Sequence, residues 1–450
     1  MRKEFSMLQS SPTVGFISLG CPKNLVDSER ILTQIRAEGY TLSAQYESSD
    51  LVIINTCGFI ESAVEESLES IGEALAENGR VIVTGCLGAR AEQIRERFPE
   101  VLAISGAHAY AEVMTALHHH LPPPHHPAGL VAPGEVRLTP RHYAYLKIAE
   151  GCSHRCSFCI IPQLRGDLVS RPLDEILLQA ERLAADGVRE LLVVSQDTAA
   201  YGQDLRHRPA IWQGRPLRTR LLDLATALAE LGIWIRLHYL YPYKVLDELL
   251  PLMAEGAILP YLDIPLQHVQ PQILRAMGRP AAAEQMLERI ARWRQICPDL
   301  TLRSSFIVGF PGERDEDFAA LLAFLDAAQL DRVGCFCYSN INGAAAQQFA
   351  DQLPESLKQE RQQQLMERQQ QISFQRLQRR VGQRLLVLVD EVHAQHLITR
   401  SAAEAPEVDG VVVVNGSWEL EPGDLIEVEV VGHDHHDLFA EVADPADEEE

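Results

Sequence analysis

The feature that most constrains this chain is a group of three closely spaced cysteines near its middle. Cys152, Cys156 and Cys159 follow one another at offsets of four and three, directly after a strand-like run at residues 145–149. This spacing brings three sulfurs together, and three thiolates on a four-iron cluster leave one iron open to a substrate or cofactor. The alternative is a structural zinc site, which needs a fourth ligand. His154 is the only nearby candidate, and its place inside the first spacer makes convergence awkward.

A second set of three cysteines lies in the first 120 residues, one after each of three strand-like runs. The runs at residues 14–19, 51–54 and 81–83 alternate with segments of helical period, which predicts a β-α-β-α-β domain with an open parallel sheet. Ligands bind at the carboxyl edge of such a sheet, so a second iron–sulfur site is predicted there. The alternative is three buried, unreactive cysteines. The predicted ligands, here called the amino-terminal cysteines, are Cys21, Cys57 and Cys86.

The middle of the chain, residues 141–350, alternates strand-like and helical segments. Six such units predict an incomplete parallel α/β barrel. Reactive groups in barrels of this kind lie on the loops after the strands. The cysteines at residues 152–159, here called the central cysteines, follow the first strand and meet this requirement. The strands are predicted at residues 143–149, 190–195, 234–240, 261–266, 300–309 and 332–338.

The remaining segments complete the predicted domain organisation. A His/Pro-rich stretch at residues 118–140 is interpreted as an extended, solvated linker without metal chemistry. A connecting helix is predicted at residues 355–380, and the five short β runs after it predict a small closed antiparallel β-barrel. The predicted domains are an amino-terminal α/β domain, a linker, a central barrel, a carboxy-terminal barrel and an acidic tail, at residues 1–120, 121–140, 141–378, 379–446 and 447–450.

The charge of the last 70 residues restricts the partners of the carboxy-terminal barrel. Residues 381–450 contain two basic and eighteen acidic residues, so this segment carries −16 of the formal net charge of −23. Nucleic-acid affinity depends on lysine and arginine that neutralise phosphates. This composition therefore disfavours nucleic acid as a direct substrate and favours a basic protein. The alternative is a solubilising surface, although the acidic tail supplies only four of the eighteen acidic residues.

The composition predicts a cytoplasmic protein without a membrane segment. The chain is 46% hydrophobic and 23% charged, and no apolar run approaches the roughly 18 residues of a membrane helix. Nine cysteines, an odd number, argue against a disulfide framework and for metal or redox chemistry. The three cysteines outside the two predicted sites are interpreted as packing residues, and they are Cys297, Cys335 and Cys337.

Motifs along nearly the whole chain resemble the methylthiotransferase family of radical S-adenosylmethionine enzymes. The order C-x3-C-x2-C of the central cysteines resembles the signature of radical S-adenosylmethionine enzymes, and the surroundings of the amino-terminal cysteines resemble the family's first domain. The last β runs resemble the TRAM module, which binds RNA in many relatives. Further matches follow in order at residues 144–151, 161–166, 195–202, 263–268 and 309–313.

The resemblance implies two 4Fe-4S clusters and S-adenosylmethionine as cofactors. The central cysteines would hold the cluster that cleaves S-adenosylmethionine, and the amino-terminal cysteines an auxiliary cluster that delivers sulfur. No catalytic residue is predicted beyond these ligands. Residues predicted from their position to contact S-adenosylmethionine, with packing as the alternative for each, are Phe158, Gln196, Arg303 and Ile307. Candidates for proton transfer, with a structural role at the barrel rim as the alternative, are Glu150, Asp197, Asp263, Gln267 and His268.

Within the family, the acidic barrel favours the members that modify a ribosomal protein. The reaction this implies replaces a hydrogen on the β-carbon of an aspartate in ribosomal protein twelve of the small subunit, giving 3-methylthioaspartate. The implied partners are that basic protein, a sulfur donor and a reductant such as flavodoxin or ferredoxin. Two alternatives stay open. One is a tRNA adenosine 2-methylthiotransferase with the same clusters, and the other is a non-enzymatic iron–sulfur electron-transfer or carrier protein, which leaves the predicted six-unit barrel unexplained.

Overall fold

The computed structural model describes residues 11–124, 135–279 and 285–443, and these residues form two compact units. The amino-terminal unit consists of residues up to 138 together with residues 159–167, and the barrel unit consists of residues 139–158 and those from 168 onward. Part of the predicted linker, residues 125–134, and the predicted acidic tail lie outside the described residues. None of the helices in the described ranges combines the length and apolar character that crossing a membrane requires.

The amino-terminal unit contains a five-stranded parallel sheet in the order β2-β1-β3-β4-β5. Helices cover both faces of this sheet, because alternate residues of its central strand enter two separate hydrophobic clusters. In this strand order ligands bind where the order reverses, between β1 and β3. The elements are β1 (Thr13–Ser18), α1 (Pro22–Ala37), β2 (Thr41–Ser43), β3 (Leu51–Thr56), α2 (Glu61–Glu77), β4 (Val81–Gly85), α3 (Ala91–Arg97), β5 (Ala103–Ile104), α4 (Tyr110–His120) and α5 (Ile161–Arg165).

The sequence-based prediction of this open α/β fold is confirmed, with two additions and one correction. The structure adds the short edge strands β2 and β5, of three and two residues. The prediction of an extended linker from residue 118 is wrong at its start, because His118, His119 and His120 form the last turn of α4. The His118 side chain is anchored to Glu38 of the same unit.

The barrel unit contains the six predicted parallel strands as two three-stranded sheets, β12-β9-β6 and β13-β14-β15. Backbone hydrogen bonds join the sheets, from Leu259 N to Ile235 O at 2.9 Å and from Leu240 N to Asp263 O at 2.8 Å. The elements are β6 (Tyr143–Lys147), β7 (Ala149–Glu150), β8 (Val169–Ser170), α6 (Leu173–Ala185), β9 (Glu190–Val194), β10 (Pro209–Trp212), β11 (Arg215–Arg218), α7 (Leu221–Ala229), β12 (Trp234–Leu237), α8 (Val245–Ala254), β13 (Tyr261–Gln267), α9 (Pro271–Ala276), α10 (Met286–Ile296), β14 (Thr301–Val308), α11 (Asp315–Ala328), β15 (Arg332–Cys337) and α12 (Glu355–Gln378).

The inner face of this partial barrel is polar. Successive side chains of a strand point to opposite faces, and on β6 Ala144 and Leu146 belong to the hydrophobic core shared with the helices. The other face of β6 therefore presents Tyr143, Tyr145 and Lys147, all of which are buried. Charged residues at equivalent positions on the neighbouring strands are Glu190, Arg236, Asp263 and Arg303.

The end of the barrel unit is a closed five-stranded β-barrel, as the sequence predicted, in the order β16-β17-β18-β20-β19. Valine and leucine side chains fill its interior, and closure leaves no free strand edge. Its pairs are antiparallel except for the parallel pair of β18 and β20. The strands are β16 (Arg384–Val392), β17 (His396–Arg400), β18 (Val412–Asn415), β19 (Leu425–His433) and β20 (Leu438–Val442).

The loop between β17 and β18, residues 401–411, packs against the amino-terminal ends of the strands of the central barrel. Tyr261, the first residue of β13, donates a hydrogen bond from Oη to Asp409 Oδ2 at 2.6 Å. Tyr143, the first residue of β6, donates to Glu407 Oε1 at 2.8 Å. Arg236 Nη1 donates to the carbonyl oxygen of Ala402 at 2.8 Å. This loop covers the edge of the central barrel opposite the one where reactive groups lie.

A buried ion-pair network reinforces this contact. Glu190 accepts hydrogen bonds from Arg236 Nε at 2.7 Å and from Arg400 Nη1 at 2.6 Å. Arg400 also donates to Asp390, which pairs with His142 at 2.8 Å. Burial alone would raise the pKa of Glu190, but the two guanidinium groups outweigh burial and lower it. Acidic residues of the last domain that bond to the central barrel are Asp390, Glu404, Glu407 and Asp409.

Candidate metal centres and cofactor site

The structure brings the amino-terminal cysteines together at the carboxyl edge of the parallel sheet. Cys21 precedes α1, Cys57 follows β3, and Cys86 follows β4. Burial raises the pKa of both Cys57 and Cys86, and the nearby charge of Cys21 adds to the rise in each. All three thiols are free, and backbone N–H groups of Lys23 and Asn24 stabilise the thiolate of Cys21. This donor set fits a cluster with three protein ligands.

Glycines let the three cysteine loops approach one another. A Cβ on Gly20 would lie 2.9 Å from Cys57 Cβ, and a Cβ on Gly58 would lie 2.9 Å from the backbone of Leu87. Gly85 has a φ of +95°, which side-chain-bearing residues rarely adopt. Any side chain at these three positions would force atoms of the neighbouring cysteine loops to shift.

A buried arginine that had no role in the sequence-based interpretation lies beside the amino-terminal cysteines. Arg165, the last residue of α5, donates from Nε to Cys86 Sγ at 3.1 Å. Burial raises the pKa of Cys86 to about 11, although Arg165 opposes the rise. For Cys21 burial also raises the pKa, but the charges of Lys23 and Arg165 outweigh it and the net pKa is lowered. The site therefore has a fixed positive charge of its own.

Two of the central cysteines, Cys152 and Cys156, follow β6 and β7 on the carboxyl side of the barrel. Burial raises the pKa of Cys152 to about 11, with smaller contributions from the charges of Asp197 and Cys156, whereas the guanidinium of Arg279 lowers it. Cys152 and Cys156 therefore share one electrostatic environment within the barrel unit. Cys159 lies three residues beyond Cys156 along the chain and belongs to the amino-terminal unit. Its Sγ accepts a hydrogen bond from Ile161 N at 3.5 Å.

The histidine considered as a zinc ligand has other partners. His154 Nε2 lies 2.9 Å from Asp197 Oδ2 and 2.9 Å from Tyr243 Oη. Its ring stacks on Tyr241 with centroids 4.4 Å apart and an interplanar angle of 19°. These contacts occupy one ring nitrogen and fix the ring plane. They favour a cluster with an open iron over a closed zinc site.

Several buried polar atoms at the carboxyl rim have no hydrogen-bond partner among the residues that the structure describes. They include Gln196 Oε1 after β9 and His238 Nε2 after β12. Buried polar groups are normally hydrogen-bonded, so unpaired ones at this edge fit a polar ligand. An amino-acid cofactor such as S-adenosylmethionine offers suitable amino, carboxylate and hydroxyl groups.

Three of the four residues predicted to contact S-adenosylmethionine have positions that suit that role. Gln196 Nε2 donates to Glu150 Oε1 at 2.7 Å, which leaves its unpaired oxygen available. Phe158 and Ile307 pack against the same apolar cluster as Phe310, within the barrel unit. This cluster offers an apolar surface to an adenine ring. These contacts with the cofactor remain predictions.

Arg303, the fourth of these residues, is paired with two carboxylates. Its Nη1 donates to Asp263 Oδ1 at 3.2 Å, and its Nε lies 3.4 Å from Asp409 Oδ1 in the loop at residues 401–411. Burial alone would raise the pKa of Asp263, but a hydrogen bond from His238 and the charge of Arg303 lower it to about 2. A contact between Arg303 and the cofactor stays a prediction. The ion pairs with Asp263 and Asp409 also give Arg303 a structural role, because they link β13 and β14 to the loop at residues 401–411.

The proton-transfer candidates belong to separate networks. Glu150 bonds to Gln196 and to Lys147, at 2.9 Å, near the cysteine loop. Asp263 is held by His238 and Arg303. His268 Nδ1 accepts a hydrogen bond from Gln270 N at 3.0 Å. Asp197 is held by His154.

Sequence reasoning missed Arg165 and Arg279. Arg165 stood in a motif that matched the family, whereas no local pattern marked Arg279.

Comparison with known proteins identifies the class of enzyme. Family models match residues 146–325 as the radical SAM superfamily, 13–106 as the uncharacterized protein family UPF0004 and 381–443 as a TRAM domain. Among solved structures, the radical S-adenosylmethionine methyltransferase TsrM from Kitasatospora setae aligns with a TM-score of 0.53 at 15% identity. The alignment covers 72% of this chain and 73% of that one, and it supports the fold alone. The chain is therefore a radical S-adenosylmethionine enzyme with an amino-terminal α/β domain and a TRAM barrel.

Full-length relatives narrow this class to one family. A protein from Methylococcus capsulatus is 62% identical over 434 residues, covering 96% of this chain and 99% of that one. A protein from Azoarcus sp. is 60% identical over 434 residues, covering 96% and 98%. Both are named ribosomal protein uS12 methylthiotransferase RimO. The chain belongs to the RimO family of methylthiotransferases, whose cofactors include a 4Fe-4S cluster and S-adenosylmethionine.

Proposed function

We propose that this enzyme converts an aspartate of ribosomal protein uS12 to 3-methylthioaspartate with two clusters, one for radical formation and one for sulfur delivery. The observation that carries this proposal is the convergence of three free thiols at the edge of the amino-terminal sheet, in a chain that also has the central cysteine motif. The relatives named for uS12 support the protein substrate over tRNA. A sulfur donor and a reductant such as flavodoxin or ferredoxin complete the proposal.

The residues of this chain would bind and orient the reacting groups. When bound, the two clusters and S-adenosylmethionine supply a carbon radical that removes an unactivated hydrogen and a sulfur atom for its replacement. The rim atoms of Gln196 and His238 would hold polar groups of S-adenosylmethionine. Phe158 and Ile307 would exclude water from its adenine. Such placement contributes to catalysis because the reacting atoms are held within reach of one another.

The charge of the TRAM barrel supports a basic protein as substrate. Four of its acidic residues bond to the central barrel, and others lie exposed on its surface. Exposed carboxylates raise the rate of encounter with a basic partner and repel phosphate. The exposed acidic residues of this barrel are Glu391, Glu419, Glu421, Glu427, Glu429, Asp434 and Glu441.

The two-site scheme is tested by removing one ligand from each site. Cys156→Ala should abolish formation of 5′-deoxyadenosine, because the radical-forming cluster loses a ligand. Cys57→Ala should leave some 5′-deoxyadenosine but no methylthiolated product, because only sulfur delivery is lost. Both products are quantified by mass spectrometry under anaerobic reducing conditions. Cys297→Ala, a buried cysteine outside both sites, is the control and should retain both products. Retained methylthiolation in the Cys57 variant contradicts the scheme.

A further inference from the structure

The guanidinium beside the amino-terminal cysteines is held on three sides. The side chain of Arg165 is 1% exposed, and its Nε donates to Cys86 Sγ at 3.1 Å. Its Nη1 donates to Asp27 Oδ2 at 3.0 Å and its Nη2 to Asn24 Oδ1 at 3.1 Å. All three partners lie in the amino-terminal unit, as does Arg165. The group therefore has a fixed position and direction.

One of these bonds ends on sulfur. The Nε of Arg165 donates to Cys86 Sγ, while Asp27 accepts from Arg165 Nη1 at Oδ2 and from Tyr110 Oη at Oδ1, at 3.0 and 2.5 Å. A guanidinium N–H is a charged donor, and its hydrogen bonds are stronger than those of a neutral donor. The geometry therefore directs a charged donor at a sulfur that would bind iron.

We propose that Arg165 is a positioning residue that sets the reduction potential of the second cluster through its hydrogen bond to Cys86. This inference rests on the proposed function, because it requires a cluster on the amino-terminal cysteines. One-electron reduction by a low-potential donor adds one negative charge to such a cluster and breaks no bond. A nearby positive charge and a hydrogen bond to a ligand sulfur stabilise that added charge. Loss of the guanidinium therefore lowers the potential.

The test uses the full-length chain with all three central cysteines replaced by alanine, so that only the second cluster can form. Removing Arg165 alone would take its cation away from the buried carboxylate of Asp27, which is destabilising. The informative variant is therefore the pair Arg165→Gln with Asp27→Asn, which removes both charges and keeps amide hydrogen-bonding groups. Asp27→Asn alone is the matched control because it retains the guanidinium. Arg165→Lys tests rescue by a retained charge.

Redox titration with dithionite and mediators, followed by electron paramagnetic resonance, gives the midpoint potential of each variant. The midpoint potential of the double variant should be more negative than that of Asp27→Asn by at least about 59 mV. This shift corresponds to a tenfold change in the one-electron equilibrium constant. Arg165→Lys should lie closer to the parent than the double variant does. Equal potentials in the double variant and Asp27→Asn overturn the inference.

A second measurement keeps the inference testable if the double variant does not assemble a cluster. Electron–nuclear double resonance on the parent with ¹⁵N-labelled arginine should show a nitrogen coupling to the cluster, and Arg165→Lys should remove it. Absence of that coupling in the parent overturns the inference. Iron and sulfide analysis distinguishes failure of the proposed second cluster from failure of the proposed role of Arg165. A parent that binds no four-iron cluster overturns both proposals, whereas a bound cluster with unchanged potentials overturns only the role of Arg165.

Discussion

Gly85 determines how closely two of the cysteine loops approach. Its φ is +95°, and a Cβ there would lie 2.5 Å from the carbonyl oxygen of Thr56 and also against the Asn55 side chain. Thr56 is the last residue of β3 and directly precedes Cys57. A methyl group at residue 85 therefore has to displace backbone on the strand that positions a neighbouring ligand.

Gly85→Ala is expected to reduce iron content at the second site and to lower the free energy of unfolding by about 2–4 kcal/mol, from backbone strain and overpacking. Iron analysis and chemical denaturation of the full-length protein measure the two effects. Gly79→Ala is the matched control, because Gly79 has a φ of +77° but a Cβ there would lie 3.9 Å from the carbonyl oxygen of Leu75, at ordinary contact distance. That variant should lose about 1–2 kcal/mol and keep its iron. Equal iron content in the two variants contradicts the steric role of Gly85.

Asp263 makes stability depend on acid pH. Its pKa in the folded protein is lowered to about 2, against an ordinary value of about 3.9 in an unfolded chain. A lowered pKa contributes stability above the unfolded value, and that contribution is lost as the pH falls through the folded value. The difference in unfolding free energy between the parent and Asp263→Asn is expected to shrink by about 2 kcal/mol between pH 7 and pH 2. A difference that does not change with pH contradicts the ion pairing described for Asp263.

At the scale of elements, the loop at residues 401–411 and the network around Glu190 join the TRAM barrel to the central barrel. Glu190 is fully buried between the guanidinium groups of Arg236 and Arg400. Arg400 is the last residue of β17, so the ion pairs anchor the start of this loop. These contacts fix the TRAM barrel to the central barrel within the barrel unit.

Glu190→Gln is expected to lower the free energy of unfolding by about 3–5 kcal/mol, because two buried guanidinium groups lose their shared carboxylate. Chemical denaturation near neutral pH measures this loss. Glu230→Gln is the control, since Glu230 pairs with Arg215 at the surface, where ion pairs contribute little. A Glu190 variant as stable as the Glu230 variant would show that the network does not hold the barrels together.

The sequence predicted the long periodic elements well and missed the short or irregular ones. The helix predicted at residues 355–380 matches α12 to within two residues, and each of the six predicted barrel strands overlaps a strand of the structure. β2 and β5 have only three and two residues, too few to show a period. The loop at residues 401–411 has no period either. Its contacts join residues far apart in sequence, such as Tyr261 and Asp409.

The candidate site also has features that the sequence pattern predicts and contacts that it does not. The amino-terminal cysteines could be predicted because each follows a strand of one parallel sheet, and the topology of that sheet brings strand ends together. The contact of Arg165 with Cys86 could not be predicted, because these residues are 79 positions apart and no period relates them. The partners of Arg303 were equally hidden, since Asp409 comes from another domain of the chain.

For the molecule as a whole, the distribution of acidic residues decides between substrates. The formal net charge is −23, and most of it lies in the last 70 residues. The structure shows that four of these carboxylates serve the contact between the barrels, so the charge available to a partner is smaller than the total. The exposed remainder still opposes binding of a phosphate backbone and favours a basic protein.

The most direct test of the central claim is mass spectrometry of ribosomal protein uS12 from cells with this gene, without it, and with the Cys57→Ala variant in its place. The account predicts that one aspartate carries a methylthio group in place of a hydrogen only when the unaltered gene is present. An unmodified uS12 in cells that contain the active enzyme, with methylthio groups found on tRNA adenosine instead, would contradict it.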